Sequence, residues 1–422
     1  MDDISVQREQ LLRDGFVIMP GVVPTQELEP LRSSVEAVVE AQRADDPSWD
    51  VTTQPRASIA SYVDEGSMKA LEFVLHENTL AASACLLDDP ADQVSVTEVS
   101  VFCNPEFEPM DPDRPGQEGG TDPRNWHRDC RPDRDGPLGA LIADEQANGP
   151  AYVQWNIALY EDNILYVVPG SHRRFNNQAE VSSLQNDRGT LMPLPGSICV
   201  ELKPGDGVAY NSLMLHWGSR YTNQCKRRTI HLGYRTFGRI FPRQRYCTLP
   251  IDICDLFVAT TPPWQGFKRL ISLYRDEFAV IKEIFRDIIA GRAEGFYAGL
   301  ARLHPAPEGQ LTCLILLLKV AAGVRKLSQE RYGRAIAEQT RQPAAYRAGQ
   351  VTTALQEELA SHFTLEQTEL LWERFRPIDR MLRAGNSTHV PGFLGPRTDY
   401  IFEQVPVEVA IENVTATLLA QP

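Results

Sequence analysis

The chain has 422 residues, 42% hydrophobic and 23% charged, so it is long and apolar enough to bury a sizeable core. Its formal net charge of −14 argues against a broad nucleic-acid or anionic-membrane surface, and its most apolar run, 311–324, is too short to span a membrane and carries Lys319. Its eight cysteines form no C-x-x-C pair and its acidic start is unlike a signal peptide, which together point to free thiols in a cytoplasmic protein and give a zinc ribbon or thioredoxin motif no support.

Residues 5–13 read as a short helix that Asp14-Gly15 breaks, and Phe16-Val17-Ile18-Met19 reads as a strand. Pro20-Gly21 is a turn. A longer helix starts at Pro24-Thr25, with Leu28, Leu31, Val35 and Val38-Val39 at helical spacing. Residues 44–65 are polar and irregular, and a second helical stretch covers 68–87. From Gln93 the period changes to two: Val94 and Val96, then Val99, Val101 and Cys103, alternate as strands do. Residues 104–124 carry many Pro, Gly, Asp and Glu. A loop of that length is either the flexible rim of an active site or a plain surface insertion.

Directly after that loop stands Asn125-Trp126-His127-Arg128-Asp129. On an extended strand, residues i and i+2 share a face, so His127 and Asp129 can aim one imidazole and one carboxylate at a single point. With a distant second histidine they would make the two-His, one-carboxylate triad that leaves positions open on non-haem Fe(II). A lone His-x-Asp is common by chance, so its weight depends on what lies downstream.

Downstream, 152–160 and 164–168 read as strands closed by Pro169-Gly170-Ser171-His172. Further short strands are expected over 191–200 and 207–210, and a last long one over 227–237. Several short strands separated by turns suggest a β-sandwich or jelly roll. After about residue 250 the period becomes helical, over 267–290, 311–327, 351–362 and 365–382. This second part is read as a helical extension packed on the β core, or as a surface for a homodimer. The expected division is therefore 1–250 for a mainly β domain with N-terminal helices, and 251–422 for the helical extension.

The second histidine is His216, in Leu213-Met214-Leu215-His216-Trp217-Gly218-Ser219. Taken alone it reads equally as a buried core histidine. Arg227 and Arg228 follow, and on a strand they face opposite sides, one inward and one to solvent. An inward guanidinium matches a dicarboxylate co-substrate through its planar fork. No Asp or Glu occurs between Asp206 and Asp252, while Arg220, Lys226, Arg227, Arg228, Arg235, Arg239, Arg243 and Arg245 do. In an acidic chain this local reversal suggests a pocket for an anionic ligand.

His127-x-Asp129, Val168-Pro169-Gly170-Ser171-His172, Gly205-Asp206, His216 with Gly218-Ser219, and Arg227 stand in the order and approximate spacing of the phytanoyl-CoA dioxygenase family, which the chain resembles over roughly residues 8–240. The entry segment Asp14-Gly15-Phe16-Val17-Ile18-Met19-Pro20-Gly21 resembles that family too. The resemblance implies a double-stranded β-helix (jelly roll) holding Fe(II) and 2-oxoglutarate, with O2 as oxidant. It implies His127, Asp129 and His216 as iron ligands and Arg227 as the group that holds the far carboxylate of 2-oxoglutarate. Ser219 would assist, and Trp155 would lie beside the co-substrate or, equally, serve as a core tryptophan. Asn104-Pro105 stands where the family often has Lys-Pro. His172 is a fourth ligand or, preferably, a turn-stabilising side chain, and His231 lies on the side of Arg227.

Asp129 carries a further implication of the resemblance. Related halogenases have a small residue there, which leaves room for halide. A carboxylate fills that place, so oxidation of a small molecule, most simply hydroxylation, is expected. The rival readings are a cupin-type metal enzyme that does not use 2-oxoglutarate and a non-catalytic binding module on the same fold. A truncation near residue 250 addresses a third, in which the helices are the functional part.

Overall fold

Polar and apolar residues alternate along Tyr152–Ala158, with Val153, Trp155 and Ile157 on one side and Gln154 and Asn156 on the other. That alternation sets the layers of the whole N-terminal half. The computed structural model describes residues 4–49, 54–64, 66–105, 126–129, 138–184, 192–219, 225–237, 264–340, 354–384 and 410–420. Strands in it are β1 (Phe16–Met19), β2 (Arg56–Ser58), β3 (Val94–Cys103), β4 (Tyr152–Ala158), β5 (Leu165–Val167), β6 (Ile198–Cys199), β7 (Gly207–Tyr210), β8 (His216–Gly218) and β9 (Arg228–Thr236).

These strands form two antiparallel sheets. The larger has the order β1-β7-β4-β9-β3-β2 and the smaller β6-β5-β8. Phe16, Ala158, Val208 and Tyr210 of the large sheet pack against Leu165, Val167, Val200 and Leu202 of the small one. Two facing antiparallel sheets with an interior between them are the expected jelly roll. Of the expected strand over 191–200, the described part is a short strand, Ile198–Cys199, paired with β5. Residues 106–124, most of the expected rim loop, lie outside the described residues.

The outer face of the large sheet is apolar because helices cover it. These helices are α1 (Ile4–Asp14), α2 (Thr25–Asp45), α3 (Ile59–Tyr62), α4 (Met68–Glu72) and α5 (Ala82–Leu87). Leu31, Val35, Val38 and Val39 form one stripe of α2 and pack in the same core as Trp155, Ile157, Ile230 and Leu232. The inner face of the sheet carries the polar residues and looks toward the small sheet.

Two short helices follow the strands' loops, α6 (Leu138–Asn148) and α7 (Gln178–Leu184). The C-terminal part is helical as expected: α8 (Trp264–Ala290), α9 (Ala293–Leu303), α10 (Pro307–Thr340), α11 (Ala354–Ser361), α12 (Leu365–Ala384) and α13 (Ile411–Leu419). Its own core contains Phe278, Ile281, Phe285 and Ile288 of α8 at helical spacing, with Leu314 and Leu318 of α10 and Phe375 of α12. Helix α6, which sequence periodicity does not reveal, is shared. Its Ala140 joins the C-terminal core, while Leu138, Leu141 and Ile142 pack with Ala151 and Leu213.

Candidate metal centre

Trp126–Asp129 is a short extended segment that lies alongside β8 at the edge of the small sheet. His127 N–H donates to the His216 carbonyl and His216 N–H to the His127 carbonyl, both at 2.9 Å. Asp129 N–H donates to the Ser212 carbonyl at 2.8 Å. The alternation expected for His-x-Asp is present. Trp126 turns away, donating its indole N–H to the Met192 carbonyl at 2.7 Å and packing on Trp217. Arg128 turns away as well and is fully buried. It donates to the carbonyls of Ser171 and Leu213 and to Asn176 Oδ1.

His127 and Asp129 face His216. His127 Nε2 lies 3.6 Å from Asp129 Oδ1, and His216 Nε2 lies 3.6 Å from Asp129 Oδ2. One donor atom from each of the three residues lies within 4.8 Å of the others, a span that a single ion can bridge. The donor set, two imidazoles and one carboxylate, suits a first-row divalent ion such as iron. His216 also has the tautomer a ligand needs. Its Nδ1 is 2.9 Å from the Met214 carbonyl, which can only accept, so Nδ1 carries a proton and, in the neutral ring, Nε2 presents its lone pair.

The Pro169-Gly170-Ser171-His172 turn supports this arrangement. Gly170, at φ +72°, donates its N–H to the Asp14 carbonyl at 2.8 Å. The Ser171 hydroxyl accepts from Leu215 N–H at 2.8 Å, and its carbonyl accepts from Arg128. His172 donates through Nε2 to the Leu12 carbonyl at 3.1 Å, one of the carbonyls that the end of α1 leaves without a helical partner. His172 therefore fastens a helix end and stands outside the metal cluster. Burial lowers its pKa to about 4.

Arg227 and Arg228 do take opposite sides, but neither reaches solvent. Arg228 turns to the helical face and pairs with Glu36 of α2 at 3.1 Å. Arg227 turns into the space between the sheets. Its Nε donates to Asp162 Oδ2 at 2.8 Å, the same oxygen that accepts the Thr229 hydroxyl. Its backbone N–H donates to Asn104 Oδ1 at 3.1 Å, so Asn104 has a structural part where the family often has lysine. His231 lies on the same face, 2.8 Å from Asn156 Oδ1, with its ring tilted against that of Phe102 at 4.8 Å between centroids.

The basic stretch thus has carboxylate partners from other parts of the chain. Arg227 pairs with Asp162, Lys226 and Arg228 with Glu36, and Arg235 with Glu277 of α8. Internal ion pairs therefore account for Lys226, Arg228 and Arg235 without an external anion. Arg220, Arg239, Arg243 and Arg245 lie outside the described residues.

Trp155 is not brought to the cluster. Its indole N–H donates to the Ser83 hydroxyl at 2.8 Å, and its ring sits in the core between the large sheet and the helices. The alternation of β4 that hides Trp155 turns Gln154 inward instead, and Gln154 Nε2 donates to Asp129 Oδ2 at 2.7 Å. Ser219 follows β8 half-buried, with its N–H on the Ile164 carbonyl at 2.8 Å. By alternation it falls on the side of Trp217, away from His216. The sequence reading named neither Gln154, which bonds Asp129, nor Asp162, which pairs with Arg227.

The family model described as phytanoyl-CoA dioxygenase (PhyH) matches residues 11–229, just over half of the chain. No curated protein matches. Solved structures that are similar include AviO1 from Streptomyces viridochromogenes Tue57, 21% identical over 56% of this chain and 96% of that one, with a TM-score of 0.38. HygX from Streptomyces hygroscopicus, with nickel and 2-oxoglutarate bound, is 18% identical over 55% and 86%, with a TM-score of 0.38. EctD from S. alaskensis, with 2-oxoglutarate and 5-hydroxyectoine, is 16% identical over 58% and 80%, with a TM-score of 0.39.

Proposed function

The chain belongs to the phytanoyl-CoA dioxygenase family of Fe(II)- and 2-oxoglutarate-dependent oxygenases, and from that premise we propose that it oxidises a small molecule, most simply by hydroxylation. In this reading His127, Asp129 and His216 hold the iron, and Arg227 holds the far carboxylate of 2-oxoglutarate. The observation that supports it best is the cluster of three donor atoms within 4.8 Å, buried at the edge of the small sheet, with His216 in a ligating tautomer.

When bound, iron and 2-oxoglutarate would activate O2, the oxidant, which takes two electrons from the co-substrate as it becomes succinate and CO2 and two from the small molecule. The chain's own residues supply geometry. The paired backbone bonds between His127 and His216 fix both imidazoles on one rigid edge. Arg128, bonded on the far side of the segment, keeps its two neighbours turned inward. Asp129 fills the position where related halogenases have a small residue, which favours oxidation without halide. Apolar packing of the two sheets beside the site, through Leu165, Val208 and Met214, limits the entry of water.

We assign this chemistry to residues 1–250 and read 251–422 as a helical extension that supports it. Among the described residues no helix is long and apolar enough to cross a membrane.

Anaerobic optical titration tests the proposal. Fe(II) is added to metal-free protein, then 2-oxoglutarate. A weak visible charge-transfer band that needs both is expected, and Asp129→Ala should abolish it together with turnover. Bound iron with no band would favour the cupin-type reading. No bound iron would favour a binding module.

A further inference from the structure

We propose that Gln154 is the positioning residue that keeps Asp129 a one-oxygen ligand. The inference rests on the reading that His127, Asp129 and His216 hold a metal.

Both carboxylate oxygens of Asp129 have a claim on the ion. Oδ1 lies 3.6 Å from His127 Nε2, and Oδ2 lies at the same distance from His216 Nε2. Left to itself, such a carboxylate can turn both oxygens to one cation. A two-oxygen contact would fill one of the positions that a facial triad leaves open. The family's chemistry needs all of them, two for a chelating keto acid and one for O2.

Gln154 decides between the oxygens. Its Nε2 donates to Oδ2 at 2.7 Å, leaving Oδ1 to the metal. The amide is buried, with 3% of the residue exposed, so water does not compete for it. Its other end is engaged as well. The Tyr152 hydroxyl lies 3.4 Å from Gln154 Oε1, and a hydroxyl proton there orients the amide with its NH2 toward Asp129. The strands around it fit this role. Gly233 lies opposite Gln154 on β9 and adds no side chain to crowd it. Tyr210 lies opposite on β7 and packs its ring edge-on against His216, with centroids 5.3 Å apart.

Cobalt(II) is a suitable probe, because its visible bands report coordination without turnover. Gln154→Met removes the donor at similar volume, and Gln154→Glu puts an acceptor against the carboxylate. Both should weaken cobalt(II) binding by about 10- to 100-fold, the usual effect of losing the group that orients a ligand. Both should also change the visible spectrum of the saturated protein and weaken 2-oxoglutarate binding at saturating metal. Melting curves on the same samples separate this from misfolding, and the glutamate variant serves if the methionine variant does not fold. Wild-type cobalt affinity and spectrum in a folded Gln154 variant, while Asp129→Ala loses the metal, would overturn this proposal alone. No cobalt bound by the wild type, or full binding by Asp129→Ala, would overturn the ligand assignment beneath it.

Discussion

Arg227 and Asp162 form a buried pair, and this changes how the co-substrate anchor must be tested. The pair is 2.8 Å apart, and Asp162 also accepts from Thr229 and, through Oδ1, from Ile164 N–H at 3.0 Å. Arg227→Ala alone would leave Asp162 charged and buried, at a stability cost of about 3–5 kcal/mol. That loss would blur any change in 2-oxoglutarate affinity. The double variant Asp162→Asn/Arg227→Met removes both charges and should melt near the wild type. Titrated at saturating Fe(II), it should need about 10- to 100-fold more 2-oxoglutarate, the worth of a charge-assisted hydrogen bond. Iron affinity should stay the same. Unchanged 2-oxoglutarate dependence would remove Arg227 as the anchor, and Arg228 could not replace it, since it faces Glu36 on the helical side. At this scale the sequence was readable where the rule is local. His127 and Asp129 share a face because they are two apart. Asp162 was not readable, because nothing local ties it to a residue 65 positions later.

Elements show the same division between local and distant causes. The Asp14-Gly15 break is legible because the chain turns there, and Gly15 has φ +84°. Its second reason is not legible: a Cβ at Gly15 would stand 2.6 Å from Nδ1 of His172, which comes from a turn far along the chain. In β4 the alternation itself held the answer. Val153, Trp155 and Ile157 are apolar, and helices cover them, so the polar Gln154 and Asn156 must face the site. Trp155, on the covered side of that strand, takes the core reading of the two that its position allowed. Helix α6 escaped notice for a different reason. Leu138, Gly139, Ala140, Leu141 and Ile142 are all buried, and a helix start buried on every side shows no 3.6-residue stripe. The bond from His172 to the end of α1 carries a pH prediction. Its folded pKa of about 4 lies below the ordinary 6.5, so the unfolded chain binds the proton more readily. Stability from the neutral ring is therefore complete above pH 6.5 and is lost as pH falls toward 4, by roughly 3 kcal/mol. Urea melts at pH 7 and pH 4.5 should show this loss in the wild type. His172→Asn should be less stable at pH 7 but lose less between the two values; an equal loss would mean that another group titrates.

At the scale of the whole molecule, buried polar contacts among the described residues join the β domain to the C-terminal helices. Arg235, at the end of β9, pairs through both Nη atoms with Glu277 of α8, and both side chains are 1% exposed. His304, at the end of α9, lies 3.0 Å from Asp144 of α6, which also accepts from Thr312 of α10 at 3.2 Å. The change from strand to helix periodicity near residue 250 is plain in the sequence, and so is the run of arginines. Their partners are not, since Glu277 is 42 residues from Arg235 and a helix away. These contacts argue that the two parts fold together. A chain cut near residue 250 would keep Arg235 without its carboxylate and uncover the Ala140 side of α6, which packs in the C-terminal core. Such a chain should lack a cooperative thermal transition and show no charge-transfer band with Fe(II) and 2-oxoglutarate. In the full chain, Glu277→Ala should cost about 3–5 kcal/mol, because it leaves a buried guanidinium uncompensated. Arg235→Met/Glu277→Met should recover most of that loss, since it removes both charges together. A stable 1–250 fragment with full turnover would instead make the helices a separate unit. In that case the buried pair would serve docking, and Glu277→Ala would weaken the contact between the parts without lowering the melting temperature of the β domain.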